Sequence, residues 1–174
     1  MQIECPEFKK ENNIWNWYIY TPGQLKFLAD FVNNGNNLTG TENGTDLTSY
    51  VPTDTEVTMT EETTIYLMNN LDLGAKPGDG TTKEEKWETT ANENVKWIPI
   101  GTYTEENTKK LRGIFEGNNY SIRGVYVNRE ENNNGVFGYA NSIQNLVVQS
   151  SYIKGGHNTG GIAGLVNRKN RKLP

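Results

Sequence analysis

The sequence predicts an all-β fold, a parallel β-helix (solenoid) with an N-terminal capping helix. Three observations predict it: a polar composition, an apolar motif that repeats in the second half of the chain, and turn residues rather than helical runs between the copies. Only 34% of the 174 residues are hydrophobic, which is low for a two-layer core. A repeat protein needs few inward residues per unit.

The repeat is the most informative pattern in the chain. Ile122-x-x-Val125-x-Val127 recurs 21 residues later as Ile143-x-x-Leu146-x-Val148, and Gly-apolar-Phe elements at 113–115 and 135–137 are followed by Gly161-Ile162-Ala163. Such periods indicate stacked units. We expect Val125 to lie over Leu146 and Val127 over Val148. Burial is predicted for Phe115, Ile122, Val125, Val127, Phe137, Ile143, Leu146 and Val148.

The intervals between copies are rich in Asn and Gly, for example Asn118-Asn119 and Asn132-Asn133-Asn134-Gly135. These residues are typical of tight turns. The unit is therefore interpreted as a coil of short β-strands whose edges pair with the next coil.

The N-terminal region predicts one strand and one helix. Trp15 to Tyr20 alternates, so that Trp15, Trp17 and Ile19 share one side. Thr21 and Pro22 are typical of a helix start, and Leu25, Leu28 and Val32 follow at helical spacing. We expect a helix over 22–34 whose apolar face covers one open end of the stack.

Three regions follow from these patterns. Residues 1–62 form an N-terminal strand, capping helix and loop, and residues 63–167 form the β-helix coils, with strands at 63–67 and 71–73 and a mobile insertion at 74–95. Residues 168–174 form a basic tail. Trp87 is expected to pin the insertion to the body.

Five segments together resemble the GLUG-type repeats of bacterial surface proteins, and the helix after Pro22 resembles the capping helix that precedes such coils. The resemblance implies a right-handed parallel β-helix on a secreted or wall-attached, often adhesin-like bacterial protein, and it brings no catalytic motif. The segments are Leu71-Asp72-Leu73, Trp97-Ile98-Pro99-Ile100-Gly101, 113–127, 135–139 and 160–164.

Composition argues against several function classes. The net charge is -4 at pH 7 with scattered acidic residues, so nucleic acid is a poor partner. The single cysteine, Cys5, and single histidine, His157, cannot supply an internal disulfide or a His-based metal site, and we expect no metal and no cofactor.

No apolar run reaches the ~20 residues of a membrane span. No signal peptide is visible, and the expected secreted or cell-surface location is what the resemblance to surface-protein repeats implies.

Candidate ligand-binding residues are Trp15, Trp17, Tyr18 and Tyr20, because amphipathic aromatic rings stack on sugars. The alternative, which we favour, is that the two tryptophans cover the first coil. The carboxylates of Glu56, Glu61, Glu62 and Asp72 are either a solvated face or the acid pair of a polysaccharide-active enzyme. Asp79 is a weak hint of calcium. No catalytic residue is assigned.

The favoured function is a non-catalytic secreted or cell-surface scaffold or binding module, adhesin-like and directed at carbohydrate or a host or matrix surface. The alternative is a fragment of a polysaccharide-active β-helix enzyme, a lyase or glycoside hydrolase. The last coil, ending at 161–166, should expose Ile162 and Leu165. An open edge of this kind favours end-to-end self-association.

Overall fold

A computed structural model describes residues 1–40 and 44–167; the predicted basic tail at 168–174 lies outside the described residues. The described part contains thirteen strands, two α-helices and one 3-10 helix at Thr48–Tyr50. The α-helices are α1 (Pro22–Asn33) and α2 (Lys83–Glu88). The strands are β1 (Glu7–Glu11), β2 (Ile14–Ile19), β3 (Thr64–Leu67), β4 (Leu71–Asp72), β5 (Thr102–Tyr103), β6 (Thr108–Lys109), β7 (Leu111–Glu116), β8 (Ser121–Arg123), β9 (Tyr126–Asn128), β10 (Phe137–Gln144), β11 (Val147–Gln149), β12 (Tyr152–Lys154) and β13 (Ala163–Val166).

The strands form four separate sheets. The largest has the order β1-β2-β3-β7-β10-β13, and its pairs are parallel except for the antiparallel hairpin β1-β2. The second sheet, β11-β8-β4, and the third, β12-β9, are parallel, whereas β5-β6 is a small antiparallel hairpin. The chain is therefore a mixed α/β fold with several small sheets.

This architecture contradicts the predicted all-β parallel β-helix. Helix α1 supplies much of the core, two hairpins are antiparallel, and no single repeat length holds. Strand β3 pairs with β7 at an offset of 50 residues (Ile65 with Phe115), β7 with β10 at 28 (Phe115 with Ile143), and β10 with β13 at 26 (Phe137 with Ala163). A period that changes at each step cannot propagate one uniform coil.

The predicted register is also wrong for the second and third sheets. Val148 lies opposite Ile122, and Ile153 opposite Val127, each at an offset of 26 residues (148 − 122 and 153 − 127) rather than 21. The apolar spacing predicts the wrong register because Val148 and Ile153 lie on two different strands, which a corner separates. The 26-residue spacing of the last motif copies, by contrast, agrees with the pairing of β10 and β13.

The corners between strands explain the asparagine content. Asn119 and Asn145 both have left-handed backbones (φ 62° and 55°), and the Asn119 N–H donates to the Asn145 carbonyl at 2.8 Å. Asparagine tolerates this conformation better than other non-glycine residues. The corner that follows β7 therefore stacks on the corner that follows β10, and the two backbones are hydrogen-bonded.

Burial follows the prediction for most of the motif. Phe115, Ile122, Val125, Val127 and Phe137 are fully buried, and the rings of Phe115 and Phe137 meet edge to face at 4.9 Å. The remaining three, Ile143, Leu146 and Val148, are only partly buried against the same core. Ile143 lies near the end of β10, Val148 lies on the edge strand β11, and Leu146 lies between these two strands.

Helix α1 is confirmed over almost its predicted range. Thr21 and Gln24 form a capping box, and Leu25, Leu28 and Val32 are fully buried. At its other end the Asn33 side chain accepts from the Gly101 N–H at 2.9 Å and donates to the Pro99 carbonyl at 3.1 Å. The helix is thus capped at its N-terminal end and tied to the body at its C-terminal end.

The insertion at 74–95 contains the unpredicted helix α2. It begins with a capping box of Thr82 and Glu85, and Trp87 is buried and stacks on Tyr152 at 6.2 Å. Trp87 therefore pins the segment as expected. No helix in the described ranges has the length and apolar character needed to cross a membrane.

Candidate functional site

The hairpin β1-β2 places Trp15 at the surface beside the core. Asn12 and Asn13 both have positive φ (51° and 64°), which fits the two-residue turn that joins antiparallel strands. The register sets Lys10 opposite Trp15. Trp15 is half-buried, and the Lys10 Nζ lies 5.8 Å from the centroid of its ring.

Two adjoining cavities flank Trp15, and we call them together the Trp15 groove. The larger, of about 590 Å³, lies between the hairpin and the segment 52–56; the smaller, of about 350 Å³, lies toward residues 58–63. Trp15 and Glu56 line both cavities. The other lining residues are Cys5, Pro6, Glu7, Phe8, Gln24, Pro52, Asp54 and Thr55 in the larger, and Lys10, Asn13, Ile14, Thr58, Thr60, Glu62 and Thr63 in the smaller.

The groove combines an aromatic wall with acidic and hydroxyl groups. Asp54, Glu56 and Glu62 are exposed, and Lys10 is the only lysine or arginine among the residues lining the two cavities. The Glu7 carboxylate pairs instead with Lys9 at 3.1 Å, on the face of the hairpin that carries Tyr18. These carboxylates do not gather into a metal site, since no cluster of three or more potential ligand side chains occurs in the described ranges. The groove is therefore amphipathic and carries an excess of negative charge.

The other predicted aromatics lie elsewhere. Trp17 is fully buried, donates from Nε1 to the Thr58 carbonyl at 3.0 Å, and packs against Phe27 and Phe31 of α1 at 6.0 and 5.0 Å. Its ring belongs to the core and presents no face to solvent.

Tyr18 lies on the opposite face of the sheet with both sides of its ring occupied. Tyr66 stacks on it at 5.1 Å, and the Lys9 Nζ lies 4.7 Å from its centroid. A hydrogen bond to Glu11 at 2.7 Å, together with burial and the charge of Glu11, raises the pKa of Tyr18 to about 12. Tyr20, just beyond the strand, is 36% exposed.

The predicted carboxylates also separate. Glu56 and Glu62 line the groove, whereas Asp72 pairs with Arg123 at 3.1 Å on another sheet. Glu7 and Asp54 were not predicted, because only the fold brings the segment 52–56 against the hairpin. The sequence carries no local signal for that contact, although the Asn12-Asn13 turn is a recognisable sign of the hairpin itself.

Comparison of the chain with protein-family models, with curated proteins and with solved structures gives no match.

Proposed function

We propose that the protein is a non-catalytic binding module whose Trp15 groove binds carbohydrate. The observation that carries the proposal is the position of Trp15 between two cavities, with carboxylates and threonine hydroxyls around it. Sugar rings present apolar C–H faces and polar hydroxyls. An aromatic wall with a few polar groups suits both.

The charge of the groove points to amino sugars. Three exposed carboxylates, those of Asp54, Glu56 and Glu62, share the groove with one lysine, Lys10. Uronates and sulfated sugars are therefore repelled, whereas a protonated sugar amine is attracted. Because these groups are exposed, the attraction should weaken as salt is added.

Location and partners form part of the same proposal. The resemblance to GLUG-type repeats motivates a secreted or cell-surface, adhesin-like protein whose partners are glycans of a host or matrix surface. We also propose self-association through the last described strand, β13, which forms an edge of the largest sheet.

A second candidate is a fragment of an enzyme that cleaves polysaccharides. Glu56 and Glu62 line one cavity, and Asp54 and Glu56 line the other. Most glycoside hydrolases use a pair of carboxylates, on either side of the sugar chain, as their catalytic residues. The two functions differ in whether bound sugar is cleaved.

A glycan array followed by a reducing-sugar assay on the same glycans separates them. We expect binding that favours amino sugars, that is lost in Trp15→Ala and kept in Tyr103→Ala, which removes an exposed ring (51%) outside the groove. Circular dichroism checks that both variants fold. Release of reducing ends would establish the enzyme instead, and binding unaffected by Trp15→Ala would overturn the proposed site.

A further inference from the structure

The two outer strands of the largest sheet differ in their chemistry. β1, at one edge, has the sequence EFKKE, with four charged residues out of five, whereas β13, at the other, has the sequence AGLV with none. Charged side chains on an edge strand oppose pairing with another chain. β1 is therefore protected, and β13 is not.

The unprotected edge also carries exposed apolar side chains. β13 pairs on one side with β10, and in the described ranges no strand pairs on its other side. Ile162, directly before β13, is 38% exposed, and Val166 at its end is 48% exposed. Both side chains alternate with Ala163 and Leu165, which lie opposite the buried Phe137 and Tyr139.

We infer that two copies of the chain pair antiparallel through β13 about a two-fold axis at Gly164; this inference rests on the proposed self-association. In that register Ile162 faces Val166 of the second copy, Ala163 faces its Leu165, and Gly164 faces its Gly164. Opposed residues point to the same side of an antiparallel pair. The register pairs the two exposed apolar residues with each other.

A second copy fits this edge because the strand is self-complementary. Small Ala163 meets large Leu165, and Gly164 lets the two backbones approach at the axis. A two-fold contact of this kind is closed, so it yields a dimer. Pairing of β13 with the charged β1 of another copy would instead form an open chain, and the four charges of β1 oppose it.

Sedimentation equilibrium over a range of protein concentrations tests the association. We expect a monomer–dimer equilibrium that Val166→Lys and Ile162→Lys each weaken at least tenfold, because each places two charges beside the axis. The control is Ile98→Lys, the same kind of change at a residue that is 58% exposed and outside β13. A monomer at every concentration, or open-ended growth, would overturn the inference.

Disulfide trapping tests the register. In a Cys5→Ser background, the double variant Ile162→Cys/Val166→Cys should form a covalent dimer on oxidation, whereas each single variant should not. Within one copy the two positions lie ~13 Å apart along an extended strand, too far for a disulfide, whose Cα atoms are usually within ~7 Å. A dimer that the double variant does not trap would overturn the register alone. A monomer would overturn self-association, and neither outcome bears on glycan binding.

Discussion

Glu116 shows how a single carboxylate organises a corner of the structure. It is buried and accepts hydrogen bonds from the Asn118 N–H at 2.8 Å, from Gln144 at 2.7 Å and from Asn145 at 3.1 and 3.2 Å. Burial raises the pKa of Glu116, but these donors outweigh burial and leave the pKa below its ordinary value. The ionised form therefore stabilises the fold.

Glu116→Gln should destabilise the protein at neutral pH, because an amide can present one acceptor oxygen instead of two. Loss of hydrogen bonds to a charged group costs ~1.5 to 3 kcal/mol. The folded-state pKa is lowered, so the contribution is present above the unfolded-state pKa of about 4.3 and is lost as the pH falls through the folded-state value.

Urea unfolding of wild type, Glu116→Gln and the exposed control Glu106→Gln at neutral and acid pH measures this effect. The gap between wild type and Glu116→Gln should close in acid, while the control follows wild type throughout. A gap that persists at low pH would show that Glu116 acts through its shape and not its charge.

Tyr18 should ionise at a higher pH than an ordinary tyrosine, because its pKa is raised. Its folded-state pKa, about 12, lies above the ordinary tyrosine pKa of about 10. The stability that it contributes is complete below the unfolded-state pKa and is lost as the pH rises through the folded-state value. An absorbance titration of phenolate should therefore contain a late component that disappears in Tyr18→Phe. Tyr50→Phe, at a residue that is 41% exposed, should leave the component unchanged.

Among the elements, α1 is the one whose substitution we expect to lower the free energy of unfolding most. Leu28→Ala should lower the free energy of unfolding by ~2 to 5 kcal/mol, because it opens a cavity in a close-packed core. The double change of Leu25 and Leu28 to Asp should cause unfolding or aggregation, since it buries two unpaired charges. Thermal unfolding and light scattering measure both effects, with Tyr103→Ala, at an exposed residue outside the core, as the control. A soluble double variant with unchanged stability would contradict the role of α1 in the core.

Trp87 should affect the structural ordering of the insertion at 74–95 more than the stability of the whole chain. It packs with Ala75, Tyr126 and Tyr152 in a cluster separate from the main core. Trp87→Ala should therefore release 76–94 for proteolysis while global unfolding shifts less than in Leu28→Ala. Limited proteolysis followed by mass spectrometry locates the cuts. Cleavage spread evenly over the chain would mean that the cluster is part of the global folding unit.

The elements that the sequence predicted are those with local signals. Helix α1 has an N-terminal cap, a proline at its first position and an apolar face, and β2 and β3 have alternating apolar residues. Helix α2 was missed because its short sequence, KEEKWE, has one apolar residue and its stability depends on Trp87 packing against a distant strand. β1, with one half-buried apolar residue among charges, depends on pairing with β2.

At the scale of the whole molecule, the repeat predicted parallel pairing between motif copies but not the architecture. Apolar spacing cannot show where a corner interrupts a strand. The motif that runs from Ile122 to Val127 crosses such a corner, so its two ends belong to two different sheets and pair at an offset that the spacing does not predict. The same limit applies to the site. Trp15 and Glu56 were among the residues singled out, but the cavities between them exist only after 52–56 folds against the hairpin.

Calorimetric titration of a glucosamine oligosaccharide into wild type and Trp15→Ala tests the central claim, that the Trp15 groove is a carbohydrate-binding site with an acidic lining. We predict binding to wild type that weakens with added salt, and at least tenfold weaker binding to Trp15→Ala, equivalent to ~1.4 kcal/mol. The N-acetylated oligosaccharide of equal length should bind more weakly than the amine. Equal affinity for wild type and Trp15→Ala, or tighter binding of a uronic-acid oligosaccharide, would contradict the account.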